Sequence, residues 1–175
     1  MADFIRTYTK KHFYPTDPER SVVCIEDIAH ALSLICRANG HFPQFYSVAQ
    51  HSISCAREAM ARKLPDRIAL ACLIHDGSEA YLSDITRPVK KDLEAYRAYE
   101  KNLQNAIYEK FTGILTDEEE AVVKLIDDTM LFYEFYYFMD EKICPEYPKL
   151  TDPCYDFVPF DEVEKEFIEL FNMLR

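Results

Sequence analysis

The sequence predicts a single all-α domain, and three observations support this fold class. Apolar residues recur at helical spacing, for example at Ile28, Ala31, Leu32 and Ile35. The 175 residues include only 3 glycines against 9 prolines, which leaves little material for the tight turns of an antiparallel sheet. No segment has a convincing β-strand pattern. The expected architecture is one compact bundle of about six to seven helices over residues 1–175.

The predicted elements follow one another with short connections. An irregular arm at residues 1–24 precedes a first helix at residues 25–38, which Asn39 and Gly40 end. Two pairs have the spacing of a capping box, which marks a helix start: Ser47 with Gln50, and Thr116 with Glu119. Further helices are expected at residues 47–62, 65–81, 88–110, 116–138 and 160–174. Residues 141–160 contain four prolines and predict a second irregular arm.

Composition and charge exclude several functional classes. The net charge of −11 argues against binding to a nucleic acid polymer, which needs a basic surface, although it permits a small nucleotide ligand. No apolar run is long enough to cross a bilayer, and the first residues lack the pattern of a secretory signal. The six cysteines show no zinc-ribbon spacing. They are expected to be reduced, in a cytoplasmic protein without a membrane partner.

The most informative residues are His51 and the dipeptide His75-Asp76. The dipeptide follows the apolar run at residues 68–74, so the aspartate is expected to be buried. A buried carboxylate is costly unless it is paired or bound to a metal ion. A cation is therefore the simplest partner for Asp76, and His51 on the preceding helix is a further candidate ligand.

Two more acidic positions belong to the predicted centre. On one continuous helix, Glu79 would share a face with His75 and Asp76, which places an acid/base carboxylate beside two ligands. Asp127 is flanked by apolar residues in a later predicted helix, and it offers the additional oxygen donor that a mixed histidine and carboxylate site needs. The neighbouring Asp128 is expected to be solvated.

The ordered set of His51, His75-Asp76 and Asp127 resembles the H…HD…D signature of HD-domain metal-dependent phosphohydrolases. Longer segments resemble the small bacterial and phage branch of that family: residues 25–34, 45–52 and 75–90, with Glu134 following Asp127. That branch is similar to the 5′-deoxynucleotidases and to phage deoxynucleoside triphosphohydrolases. The match extends over nearly the whole chain.

The resemblance implies one bound divalent ion, which would be Mn, Co, Zn, Fe or Mg. Four side chains would hold this ion: His51, His75, Asp76 and Asp127. Glu79 matches the residue that positions the attacking water or protonates the leaving group. Asp84 matches a carboxylate beside the nucleotide and its water.

The resemblance also implies residues that bind the substrate. Arg37 lies near the position of the phosphate-binding arginine, with capping of helix carbonyls as the alternative role. Lys90 is a second phosphate candidate, and its alternative is a solvated position. Ala38 stands where the deoxynucleotidases often have a tryptophan that crowds the sugar 2′ position. Three aromatic residues are the candidates to replace that tryptophan: Phe42, Phe45 and Tyr46.

The preferred function is a 5′-deoxynucleotidase that acts on a deoxynucleoside monophosphate. A deoxynucleoside triphosphohydrolase of the phage type is the alternative within the same chemistry. A non-catalytic nucleotide sensor on the same fold is the alternative of another class, although such a protein is expected to have lost one of the site residues. The 14% aromatic content, concentrated at residues 133–138, further predicts a homodimer or higher homo-oligomer.

Overall fold

The computed structural model describes residues 3–20 and 22–175, and it confirms the all-α fold class. That part of the chain contains eight α-helices and one small sheet. The helices are α1 (Ile25–Leu34), α2 (Val48–Ala61), α3 (Asp66–Leu73), α4 (Glu79–Leu82), α5 (Arg87–Lys90), α6 (Glu94–Phe111), α7 (Asp117–Met139) and α8 (Phe160–Leu174). None of the helices described is both long and apolar enough to span a membrane.

Helix α2 lies at the centre of the molecule and packs against α1, α3, α7 and α8. Its residues are buried almost all the way round, which is typical of a helix surrounded by others. The predicted capping boxes are both present, since Ser47 accepts a hydrogen bond from the Gln50 N–H and Thr116 accepts one from the Glu119 N–H. Local sequence therefore fixes the starts of α2, which carries His51, and of α7, which carries Asp127.

A short hairpin in the N-terminal arm corrects the expectation that the chain has no strands. Strand β1 (Ile5–Arg6) pairs antiparallel with β2 (His12–Phe13). Asp27 on α1 holds the connecting turn, because its carboxylate accepts hydrogen bonds from the Thr9 N–H at 2.7 Å and the Thr9 hydroxyl at 3.0 Å. Strands of two residues are too short to show an alternating pattern in the sequence.

The first helix ends four residues before the predicted boundary. After Leu34 the chain becomes extended, and Cys36 forms a β-bridge with Ser47. A 3₁₀ turn follows at Arg37–Gly40, in which Ala38 has φ 52° and Asn39 has φ 55°. The prediction of helix to residue 38 is wrong because backbone pairing with the start of α2 replaces the helical hydrogen bonds.

The helix predicted at residues 65–81 is interrupted at His75 and Asp76, the two residues that the sequence proposes as metal ligands. Between α3 and α4, residues 74–78 form a tight turn in which the Gly77 N–H donates to the Ile74 carbonyl at 2.9 Å. A Cβ atom at Gly77 would lie only 2.9 Å from that oxygen. Gln104 on α6 bridges the break, because its side chain donates to the Ile74 carbonyl at 2.8 Å and accepts from the Ser78 N–H at 3.0 Å. His75 and Asp76 therefore lie in a turn and not on a continuous helix.

The helix predicted at residues 88–110 is likewise divided, into α5 and α6. The intervening turn lets the Lys90 ammonium reach Glu100 on α6 at 2.6 Å. Pro88 lies in the first turn of α5, as expected.

The Pro-rich arm at residues 141–159 has no helix or strand, as predicted, and it is fastened to α2. Glu58 is completely buried on that helix, and its carboxylate accepts hydrogen bonds from the Leu150 N–H at 2.9 Å and from the Thr151 hydroxyl at 2.6 Å. Arg62 pairs with the same carboxylate at 3.0 Å. The arm thus packs over α2 and is held there by hydrogen bonds to Glu58.

Candidate metal centre

The structure brings together the four residues that the sequence proposes as metal ligands. His51 comes from α2, Asp127 from α7, and His75 and Asp76 from the turn between α3 and α4. His51 Nε2 lies 3.2 Å from Asp127 Oδ1, and His75 Nε2 lies 3.3 Å from Asp76 Oδ2 and 3.7 Å from Asp127 Oδ1. The two imidazole rings are 5.2 Å apart.

The hydrogen bonding of His75 fits a cation at this point. Its Nδ1 is 2.8 Å from the Cys72 carbonyl, which can only accept, so Nδ1 carries a proton and Nε2 is the nitrogen that can bind a metal ion. Among the described residues, the buried Nε2 atom makes no hydrogen bond, although Asp76 Oδ2 and Asp127 Oδ1 lie 3.3 and 3.7 Å from it. A positive charge between this nitrogen and the two carboxylates is therefore favourable. The arrangement therefore suits a divalent ion with mixed nitrogen and oxygen ligands.

Cys55 is a further potential metal ligand that was not predicted from the sequence. His51, Cys55 and His75 form a group that can hold a metal ion, with ligand atoms all within 4.8 Å of one another. The Cys55 thiol lies 3.5 Å from His51 Nε2, and burial raises its pKa to about 11. The six cysteines show no zinc-ribbon spacing, so Cys55 is not among the ligands predicted from the sequence. The available signal was spacing, because Cys55 is one helical turn after His51 and shares its face of α2.

Charge pairing across the centre shifts the pKa values of its members. Burial alone would raise the pKa of Asp127, but contact with the His51 and His75 imidazoles holds it well below its ordinary value. For His51, burial and the Arg37 guanidinium lower the pKa. The Cys55 thiol and the nearby carboxylates raise it by more, so the net pKa lies well above its ordinary value. Both shifts arise because this imidazole and this carboxylate are in contact inside the protein, and a metal ion bound between them would take the place of the proton on His51 Nε2.

Arg37 lies against the centre and does not cap a helix. Its guanidinium is 3.5 Å from Asp76 Oδ2 and 3.4 Å from Glu134 Oε2 on α7. Burial would lower its pKa, but Glu134 and Asp76 raise the pKa above its ordinary value. Glu134 is itself buried and lies 2.6 Å from His51 Nδ1. A cation beside the ligands is the arrangement that a phosphate-binding arginine requires.

Glu79 is buried, and its Oε2 atom has no hydrogen-bond partner among the described residues. Burial, with the charges of Asp76 and Asp84, holds its pKa well above the ordinary value. The Lys90 ammonium lies 3.9 Å from Glu79 Oε1 and 2.6 Å from Glu100. Lys90 is therefore paired with two carboxylates at the cavity wall, and its role in phosphate binding stays a prediction.

A cavity of about 1160 Å³ opens onto the centre. Most of the predicted site residues line it: Arg37, Ala38, His75, Asp76, Glu79, Asp84, Lys90 and Asp127. His51 lies behind this wall and is completely buried. Phe42 is not at the wall, because its ring is stacked on Phe138 at 4.5 Å in a separate apolar cluster. The placement of Phe42 beside the substrate is therefore corrected.

Two aromatic residues, Tyr108 and Phe135, line the cavity, and Phe135 meets Phe42 edge to face at 5.1 Å. Asp127, Leu131 and Phe135 follow one another at i, i+4 and i+8 on α7, so they share one face of that helix. Ile143 extends the same apolar wall. The cavity thus combines a charged centre with an apolar wall on one side.

Two bacterial proteins are similar to this chain, and no family model matches it. The uncharacterized protein YfdR of Escherichia coli K12 is 41% identical over 108 residues, which is 62% of this chain and 58% of the relative. An uncharacterized protein of Rhodobacter capsulatus is 38% identical over 101 residues, which is 54% of this chain and 51% of the relative. The matched segments thus span just over half the length of these relatives.

Proposed function

We propose that this protein is a divalent-metal-dependent phosphohydrolase that acts on nucleotides, as its resemblance to HD-domain enzymes implies. One observation carries the proposal: His75 Nε2 faces two carboxylates beside Glu79, and neither this nitrogen nor Glu79 Oε2 makes a hydrogen bond among the described residues. Unpaired buried polar atoms are rare in folded proteins, and two of them at one cavity indicate a ligand. The metal-ligand set of the proposal is His51, His75, Asp76 and Asp127.

The chemistry follows from the placement of the side chains. A divalent ion held by these ligands supplies Lewis acidity for a phosphoryl group and makes water more acidic. Arg37 offsets the negative charge that develops on the phosphoryl oxygens. Glu79 orients the attacking water, accepts its proton and passes that proton to the leaving oxygen as the phosphorus–oxygen bond breaks. Lys90, fixed by Glu100, limits the positions that the Glu79 carboxylate can adopt.

The shape of the cavity favours a nucleotide over a small phosphate ester. Ala38, Leu131, Phe135 and Ile143 provide apolar surface next to the charged centre. An aromatic ring on that wall suits stacking of a nucleobase. Asp84 lines the same cavity and lies close enough to raise the pKa of Glu79, which fits a carboxylate near the reacting water.

A deoxynucleoside monophosphate is the preferred substrate, and hydrolysis of a deoxynucleoside triphosphate is the second candidate. Arg87, Lys101 and Lys124 line the cavity and supply the positive charge that additional phosphates require. Arg87 and Lys124 are already paired with Asp127 at 3.2 and 3.1 Å, which favours the shorter substrate. A non-catalytic sensor would have no use for Glu79 Oε2, a buried oxygen that makes no hydrogen bond among the described residues.

Assembly as a homodimer in the cytoplasm is part of the proposal. Tyr136, Tyr137 and Met139 at the end of α7 are exposed, as a contact surface for a second copy requires. Light scattering at micromolar concentration distinguishes a dimer from a monomer.

The activity is tested with purified protein that has been stripped of metal. Deoxy- and ribonucleoside mono- and triphosphates are supplied with Mn, Co, Zn or Mg, and the products are identified. We expect nucleoside and inorganic phosphate from deoxynucleoside monophosphates only when metal is present. Release of tripolyphosphate from triphosphates would favour the second candidate, and no hydrolysis of any nucleotide would reject the proposed activity.

A further inference from the structure

Glu134 is a buried carboxylate that joins two parts of the candidate site. Its Oε1 atom lies 2.6 Å from His51 Nδ1, and its Oε2 atom lies 3.4 Å from the Arg37 guanidinium. The side chain is only 1% exposed, and His51 is not exposed at all. Two charge-assisted contacts to one buried carboxylate are strong because little water screens them.

The position of the His51 proton follows from this contact. An ionised carboxylate can only accept hydrogen bonds, so His51 Nδ1 must be the donor. The Arg37 guanidinium, 3.4 Å from Oε2, occupies the other oxygen of the same carboxylate. A proton on Nδ1 leaves Nε2 as the nitrogen that can bind a metal ion, and Nε2 is the atom that faces Asp127 at 3.2 Å.

We propose that Glu134 is a positioning residue that keeps the His51 proton on Nδ1, directs Nε2 toward the metal centre and fixes the Arg37 guanidinium. The proposal rests on the metal centre of the proposed function but does not require any particular substrate. Histidine ligands generally need such a partner, because it fixes the orientation of the ring and makes the binding nitrogen more basic.

The same carboxylate links metal binding to anion binding. Arg37 contacts Glu134 through Nη2 and Asp76 through Nη1 at 3.5 Å. His51, Glu134, Arg37 and Asp76 thus form one connected chain of polar contacts, which runs from the buried His51 and Glu134 to the partly exposed Arg37 and Asp76. Removing the charge of Glu134 disturbs one metal ligand directly and the phosphate-binding cation at the same time.

The test uses Glu134→Gln with Glu58→Gln as a matched control. Both glutamates are buried and accept several hydrogen bonds, but the contacts of Glu58 are to Arg62, Leu150 and Thr151, away from the metal centre. Zinc dissociation constants are measured by competition with a chelator. We expect Glu134→Gln to weaken zinc binding by about 10- to 100-fold, the usual effect of losing a partner of a metal-binding histidine. Glu58→Gln should keep the wild-type zinc affinity.

A second measurement observes the His51 proton in the wild-type protein and does not depend on turnover. Nitrogen-15 NMR of the wild-type protein, with His51 assigned by comparison with His51→Asn, should show a proton on Nδ1 both without and with zinc. Binding of inorganic phosphate to the zinc-loaded protein should also be weaker in Glu134→Gln than in Glu58→Gln.

A zinc-loaded wild-type protein with no proton on His51 Nδ1 would overturn the proposal, even if Glu134→Gln failed to fold. Equal zinc affinities in the two folded variants would overturn it as well. Weakened zinc and phosphate binding in a protein that hydrolyses no nucleotide would support the positioning role while rejecting the proposed enzymatic activity. The two proposals therefore fail separately.

Discussion

The Nε2 atom of His51 lies 3.2 Å from Oδ1 of Asp127, so the candidate centre connects the core helix α2 to α7. Both side chains belong to helices that begin at capping boxes. The other oxygen of Asp127 contacts Lys124 at 3.1 Å and Arg87 at 3.2 Å. One carboxylate therefore separates the buried imidazoles from the cations at the edge of the cavity.

Replacing Glu79 by alanine should impair turnover without removing the metal ion. The side chain lines the cavity but is not needed to complete the ligand set. We expect at least about a hundredfold loss of kcat, which is typical for an acid/base residue. Metal content and phosphate release are measured on the same sample, and Glu120→Ala, on the charged part of the cavity wall, is the control. Turnover like that of the wild type in Glu79→Ala would reject the catalytic role.

Replacing Cys55 by serine distinguishes two possible ligand sets. If the four predicted residues suffice, Cys55→Ser should retain about one metal ion per chain, since the buried thiol with its pKa near 11 stays protonated. The cobalt-loaded wild type should then lack a thiolate-to-cobalt absorption band in the near ultraviolet. A strong band that disappears in Cys55→Ser would show instead that the metal is held by the group of His51, Cys55 and His75.

The starts of α2 and α7 were predictable from the sequence because capping boxes act through neighbouring residues. The candidate ligand residues were proposed for a different reason, since the ordered motif and the cost of burying Asp76 both indicate a cation. The turn at residues 74–78 was not predictable from local spacing. It depends on Gln104, which satisfies the backbone groups of Ile74 and Ser78 from another helix.

The placement of the aromatic residues around the cavity was also not predictable from local sequence. Phe42 was a reasonable candidate for the substrate wall because it is close in sequence to Arg37 and Ala38. In the structure it packs behind Phe135, which comes from α7 and lines the cavity. Packing between elements that are distant in sequence decides whether Phe42 or Phe135 faces the cavity. A local sequence pattern cannot predict this choice.

Substitution of Ala38 tests the selectivity for the sugar. Ala38 lines the cavity, and a pocket with room to spare discriminates against an added hydroxyl by only about 10²-fold. We expect a modest preference for deoxynucleotides, which Ala38→Trp should increase by weakening the use of ribonucleotides. Ala38→Gly is the control, since glycine accepts the φ of 52° at this position. A wild-type ratio of kcat/KM above about 10⁴ would mean that another residue excludes the ribose.

Glu58 should make stability depend on pH in the acid range. Burial raises the pKa of Glu58, but hydrogen bonds from Thr151, Leu150 and Arg62 outweigh burial and hold the pKa below its ordinary value of 4.5. A carboxylate with a lowered folded-state pKa stabilises the protein above the unfolded pKa, and this stability is lost as the pH falls through the folded pKa.

We therefore expect Glu58→Gln to lower the free energy of unfolding by about 1–3 kcal/mol at pH 7. The difference from the wild type should shrink as the pH falls below 4.5. Denaturant titrations of both proteins at several pH values measure this. A difference that stays constant down to the lowest pH at which the proteins fold would contradict the assignment.

The most direct test of the metal centre compares Asp127→Asn with Asp128→Asn. Both aspartates pair with Lys124 and Arg87, but Asp127 also faces the two imidazoles. Metal affinity and phosphate release from deoxynucleoside monophosphates are measured for both variants. We expect Asp127→Asn to lose at least about a hundredfold in metal affinity and to lose turnover, while Asp128→Asn stays within about threefold of the wild type. Wild-type metal affinity in Asp127→Asn would contradict the assignment of this centre.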